Sequence, residues 1–256
     1  NFTFTRDKIV DYDEVIPRYP YLAQKGNSYG ITRGLIALGL FKDEDDIKNS
    51  PQQFGKVLPG DIKYQDVNGD GVIDSYDIVP IGNARIPRIQ YGFAASAQWK
   101  GFDFNIFFRG AGKSDFFFGG SGFYPFNGEK TGNVLSIVND QKNRWTPASY
   151  SGDPATENPN ARFPRLTYGN NTNNNRASTF WLADASYLRL KTIEIGYTLP
   201  KEWSQKMAMS NLRISIIGDN LHVWDKVKLW DPEQASSNGA VYPLTRSYTA
   251  VLQMSF

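Results

Sequence analysis

The chain has no cysteine and one histidine, His222, among its 256 residues. Without thiols there is no disulfide framework, no cysteine-bound zinc and no thiol nucleophile. A single imidazole makes a histidine-based triad or a multi-histidine metal centre a poor expectation. Net charge is nearly absent as well: 28 Lys+Arg against 26 Asp+Glu leave +2. A protein that grips nucleic acid through its phosphates carries a basic face or stripe, so no nucleic-acid partner is expected. No apolar run approaches the roughly 20 residues of a transmembrane helix. That excludes a helical membrane protein but not a membrane β-barrel, whose alternating strands average to a modest hydropathy. The mean hydropathy of −0.46 is compatible with either a soluble protein or a barrel. No signal peptide is visible and the first residue is Asn1 rather than Met, as expected for a processed protein or a part of a longer polypeptide.

What is abundant is aromatic and turn-forming. Phe, Tyr and Trp make up 14% of the chain, with 23 Gly and 14 Pro. From Ser247 to Phe256 the residues alternate: Tyr248, Ala250, Leu252, Met254 and Phe256 on one face, Ser247, Thr249, Val251, Gln253 and Ser255 on the other. A period of two predicts a strand with one apolar face. The same pattern predicts strands over Thr192–Leu199, Leu212–Ile217, Phe102–Arg109 and Tyr91–Lys100, and more weakly over Asn1–Val10 and Tyr29–Leu38.

Short and long connections alternate between these strands. Trp99-Lys100-Gly101-Phe102 reads as a tight hairpin and Pro200–Asn211 as a short link, whereas 41–89, Gly110–Asp184 and Asp225–Leu244 are long. Outer-membrane barrels have short periplasmic turns and long extracellular loops. With the last strand ending in the periplasm, every long segment falls outside except 11–27, which is expected as a long periplasmic connection. The polar faces are mostly small or amide, with Asp103, Glu194 and Arg213 among them. Trp99, Phe102, Tyr197 and Phe256 cluster towards one strand end, as an interfacial aromatic girdle would. A soluble sandwich core also uses aromatic alternating strands; the loop lengths favour the barrel.

The sharpest local motif runs from Asp66 to Asp77 as D-x-N-x-D-G-x-I-D-x-x-D. Its spacing is that of a calcium loop, with Asp66, Asn68 and Asp70 as oxygen ligands, the Val72 carbonyl next, then Asp74 and Asp77. Asp77 stands where a bidentate Glu is usual, and no helix pair flanks the loop. The expected role is a structural calcium of weak affinity, set against an ion-free turn built by Asp, Asn and Gly. The run Phe116–Phe126 suits either a loop folded on itself or against the barrel wall, or an exposed apolar patch for a partner or ligand. Asp184, Arg189, Lys191 and Glu194 are candidates for cross-strand pairs. His222, beside Trp224, reads as interfacial or loop-supporting. Nothing points to a catalytic residue.

Several stretches together resemble the SusC/RagA family of TonB-linked outer-membrane proteins. They are Leu58-Pro59-Gly60-Asp61-Ile62-Lys63-Tyr64-Gln65-Asp66-Val67-Asn68-Gly69-Asp70-Gly71, then Ile81-Gly82, Pro87, Tyr91-Gly92 and Lys100-Gly101-Phe102-Asp103. The run from Phe180 through Lys191, the run from Ile193 through Pro200, Asn211-Leu212-Arg213, Gly218-Asp219-Asn220-Leu221, Asp231-Pro232-Glu233 and Tyr242-Pro243 complete the set. The resemblance implies an all-β antiparallel transmembrane barrel of about 22 strands with a plug and a TonB box. It implies import of glycan oligomers or oligopeptides, driven through TonB, under a SusD-like surface lipoprotein lid in the outer membrane of Bacteroidetes. Neither plug nor TonB box is found in the chain, and about seven strands cannot close such a barrel or leave an open edge in lipid. Residues 1–256 are therefore expected to be a C-terminal barrel segment, with an extracellular loop region at 41–89, completed by the remaining barrel and plug. The alternatives are a secreted calcium-dependent glycan-binding β-sandwich and, on no positive feature, a glycosidase fragment.

Overall fold

A computed structural model of the chain describes residues 1–84, 86–126, 132–234 and 236–256. Among the described residues twelve strands form: β1 Phe2–Phe4, β2 Ile31–Gly34, β3 Ala37–Leu40, β4 Ile62–Tyr64, β5 Val79–Ala84, β6 Ile89–Trp99, β7 Phe102–Gly112, β8 Asp115–Phe117, β9 Leu182–Asp184, β10 Tyr187–Thr198, β11 Asn211–Asp225 and β12 Ser247–Ser255. Six of them make one antiparallel sheet in the order β1-β6-β7-β10-β11-β12. The other six form three two-stranded pairs, β2 with β5, β3 with β4 and β8 with β9, all in the connections on one side.

The register brings the apolar faces together. Trp99, Phe102, Tyr197, Ile214 and Leu252 are successive cross-strand partners, as are Ala97, Phe104, Ile195, Ile216 and Ala250. These rows stay uncovered: Trp99 is 69% exposed, Ile216 63%, Leu252 57% and Ile195 54%. In water, an apolar sheet face of this size must be buried against something. Among the described residues no second sheet packs on it, which removes the basis for a β-sandwich. Facing lipid, the same rows are in their proper solvent.

The turns obey local chemistry. Between β6 and β7 a two-residue turn has φ of 47° at Lys100 and 89° at Gly101, the double positive φ that matches strand twist. A Cβ on Gly101 would lie 2.8 Å from the Thr198 carbonyl oxygen. Between β10 and β11 a short helix, Lys201–Lys206, starts after Pro200. At the other strand ends lie the three long connections, 5–88, 113–186 and 226–246.

Two expectations are corrected here, and of the two readings of the aromatic run the folded loop is the one observed. β1 pairs with β6 through Phe2↔Tyr91 and Phe4↔Ile89, so the chain leaves β1 on the long-loop side. Residues 11–27 therefore belong to the same outer connection as 41–89 and are not periplasmic. The stretch 29–38 is not a wall strand: it splits into β2 and part of β3, each pairing inside the loop region. The aromatic run 116–126 is not an exposed patch. Phe116, Phe118, Phe123 and Tyr124 are 3–8% exposed, and Phe123 packs on Trp181 at the far end of its own connection and on Trp230 from the connection 226–246.

The hydrophobic core thus lies in the cap, not in the wall. Leu35, Leu40, Ile62, Tyr64, Ile73, Trp145, Phe163, Trp181 and Val227 join these aromatics in one cluster fed by all three long connections. Residues far apart in sequence meet there, and burial of this many large rings drives the loops into a packed body.

Candidate luminal site

The face of the sheet opposite the lipid rows carries the polar chemistry. Arg213 on β11 sits at the centre of one group. Its guanidinium donates to Asp103 on β7 at 2.5 and 3.1 Å, to Glu194 on β10 at 2.7 Å, and to Ser215 and Gln253 at 3.2 Å. Gly196 makes room for it, since a Cβ there would fall 2.4 Å from Arg213 Nη2. One arginine and two carboxylates grouped this way need water or one another, and a barrel lumen supplies both.

Nearer the cap, β10 carries a bulge at Lys191, where its register against both β7 and β11 shifts. The extra residue turns Leu190 to the outer face opposite Phe108 and His222. His222 packs edge-on against Trp224 at 4.4 Å on that face, an interfacial place. On the luminal face, Arg109 of β7 and Arg189 of β10 are direct partners. Glu233, from the connection 226–246, reaches both: its Oε1 is 3.2 Å from Arg109 Nη2 and its Oε2 accepts from Arg189 Nε at 2.8 Å. Asp231 takes Arg189 Nη2 at 2.7 Å. The Arg189 side chain is 3% exposed, whereas that of Arg109 is 54% exposed.

Two adjoining cavities of about 490 and 410 Å³ open beside this group, sharing Arg109, Glu233 and Gln234. The larger reaches under the cap to Asp115 and Phe116; the smaller is bounded by Lys191, Asn220 and Tyr242. Of the candidate cross-strand pairs, Glu194 finds Arg213 on the next strand and Lys191 finds the Asn220 amide at 2.8 Å. Arg189 and Asp184 instead pair with loop residues, Asp184 with Lys226 at 2.9 Å. Burial works against ionised Asp184, but hydrogen bonds from Ser186 and Lys226 outweigh it and hold its carboxyl below the usual range.

The cap over the cavities is fastened by a second polar centre. Asp61, fully buried, accepts from the Leu58 amide at 2.9 Å, Asn174 at 2.8 Å, Asn171 at 3.2 Å and Arg165 Nη2 at 3.1 Å. Arg165 Nε also lies 2.8 Å away, within ion-pair range but not aligned to donate. The Asn-rich stretch 170–175, polar and irregular in sequence, is thereby an internal clamp. Burial raises the Tyr64 phenol well above its ordinary value and that of Tyr124 to about 12.

In the Asp66–Asp77 loop the side chains turn towards their own backbone. Asp66 accepts from the Gly69 and Gly71 amides, both at 2.7 Å. Asn68 accepts from Asp70 and Asp70 from Val72, each at 3.0 Å. Asp77 accepts from Val67 at 2.7 Å and Asp74 at 2.8 Å, and Asp74 caps Tyr76. Among the described residues no group of three or more His, Asp or Glu side chains converges as a metal-ligand set.

The alternation that puts Asp103 on the polar face of β7 puts Arg109 there too, but it does not reveal the partners of Arg109. Asp231 and Glu233 lie in a loop, and nothing local says which strand they meet.

An apolar outer face, a charged inner face, tight turns at one end and a packed loop body at the other define the wall and cap of a membrane β-barrel. Comparison with known proteins narrows the class. The chain is 29% identical over 244 residues, 90% of its length, to TonB-dependent receptor P26 of Formosa agariphila. It is 24% identical to TonB-dependent receptor P3 of the same organism, over its full length. It spans only 23% and 26% of these relatives. Its fold matches a part of the solved RagAB peptide transporter, with a TM-score of 0.64, 21% identity and 91% of the chain covered against 23% of that chain. The RagAB peptide importer in its open-open state gives a TM-score of 0.59 at 20% identity. No protein-family model matches. The resemblance read from the motifs is borne out: the chain is similar to TonB-dependent receptors over 90% of its length, has the fold of part of a transporter barrel, and lies in the bacterial outer membrane.

Proposed function

We propose that this segment supplies wall, cap and part of the cargo cavity of an outer-membrane importer energised through TonB. The reading extends to a SusD-like surface lipoprotein seated on the cap side and to an oligopeptide or glycan oligomer as cargo. One observation carries it: a luminal cavity lined by both signs of charge lies directly beneath a packed extracellular body. Such a site binds and passes a polar solute and needs no covalent step. Relatives with receptor names and structural neighbours described as peptide importers support it, and the latter favour peptide over glycan.

Uptake by cells carrying or lacking the full-length gene tests the proposal. Labelled oligopeptides and oligosaccharides should enter only with the gene present and TonB intact, and a lipoprotein should co-purify in mild detergent. Unchanged uptake of both cargo classes after gene deletion would refute it.

A further inference from the structure

The two arginines of the luminal group are used differently. Arg189 is enclosed, and both carboxylates of the connection 226–246 neutralise it. Arg109 meets a single oxygen of Glu233 at 3.2 Å and leaves more than half of its side chain open to the cavities. Lys191 faces the same void with a neutral amide, Asn220, as its hydrogen-bond partner. Around the smaller cavity two cations, Arg109 and Lys191, therefore stand against one lining carboxylate, Glu233, while Asp115 lines only the larger cavity, so the unmatched positive charge lies on the side of the smaller one. Tyr242, 85% exposed, adds a ring to the same wall.

We infer that this cavity binds a carboxylate group of the cargo, held by Arg109 and Lys191, with Tyr242 against the adjoining part of the molecule. A planar guanidinium with free N–H groups and a nearby ammonium match a carboxylate in charge and geometry. The group can come from a peptide terminus or acidic side chain, or from a uronic acid. The inference rests on the import reading above and adds the chemical feature that the site selects.

The test uses the full-length transporter and two ligand pairs: a short peptide with a free or an amidated C-terminus, and an oligouronate or its neutral parent glycan. The acidic member of one pair should bind at least about tenfold more tightly than its neutral mate, the scale of a lost charged hydrogen bond. Arg109→Gln and Lys191→Gln should each shrink that ratio, weakening the acidic member more than its neutral mate. Lys191→Gln stands apart from the Glu233 ion pairs, so it reports even where Arg109→Gln disturbs the fold. Binding with no preference for the acid, or an equal loss for both members in the variants, would overturn the inference alone. Absence of binding and of TonB-dependent uptake for every ligand would instead bring down the import reading itself.

Discussion

Arg109 and Arg189 stand directly opposite each other on neighbouring antiparallel strands, two cations on one face, with Glu233 reaching both. Like charges in that position destabilise a sheet. The connection 226–246 is therefore tied to the wall by the repulsion it relieves.

Replacing that carboxylate exposes the relationship. Glu233→Gln leaves Arg189 with Asp231 alone and removes the shared anion. We expect a loss of about 3 kcal/mol, the scale for breaking one partner out of a buried pair. Arg109→Gln added to Glu233→Gln should recover part of it, because the opposed cation is gone. Denaturant unfolding of the full-length barrel measures both, and strictly additive single and double variants would contradict the coupling.

Asp61 concentrates the cap's stability in one buried carboxylate. Asp61→Asn removes the charge that Arg165 faces while keeping the size. Local opening of the cap should become easier by about 3 kcal/mol, seen as faster amide exchange in 58–64 and 165–175. Exchange in β6, β7 and β10 should stay as it was, because the wall has its own ladder.

The acid response of the cap has a defined sign. A hydrogen bond from Lys63 holds the Asp46 carboxyl below its usual range, across an ion pair of 2.7 Å. A carboxyl with a depressed folded value stabilises above its unfolded pKa of about 3.9 and loses that contribution as the pH falls through the folded value. Protection around Glu44–Lys48 should therefore drop below about pH 4, and Lys63→Met should flatten the response. A drop beginning near neutrality would contradict the assignment.

For the Asp66–Asp77 loop the proposal remains a weak structural calcium. Any ion must compete with backbone amides already bonded to Asp66 and Asp77. Half-saturation is expected at about 1 mM or above, the weak end for extracellular modules. Asp77→Ala should loosen the loop with or without calcium, since its buried carboxylate joins Val67 to Asp74. Calorimetric titration decides, and a micromolar affinity would contradict this account.

Much of the wall was legible because a sheet between lipid and water must alternate. Ile193, Ile195 and Tyr197 declared their face, and the Lys100-Gly101 turn declared its hairpin. The limits of β10 and β11 were not legible, because the bulge at Lys191 breaks the phase and hides Tyr187–Leu190 and Leu221–Asp225 from a period-two reading. The cap was legible only in part, for a different reason. Phe116–Phe126 fits either a folded loop or an exposed patch by sequence, and only Trp181 and Trp230, distant in sequence, decide for the folded loop. The Asn-rich run looks like a solvated loop until Asp61 gathers it in. The luminal ion group likewise depends on a loop meeting a strand, which local sequence does not encode.

The central claim is that one face of this sheet is in lipid and the other in the lumen. The segment has no cysteine of its own, so single cysteines can be placed at Ile195 and Leu252, and at Glu194 and Gln253, in the full-length protein. Each is labelled with a fluorophore in reconstituted bilayers containing brominated lipid. The account predicts strong quenching at Ile195 and Leu252 and little at Glu194 and Gln253. Equal quenching at all four, or the reverse order, would contradict it.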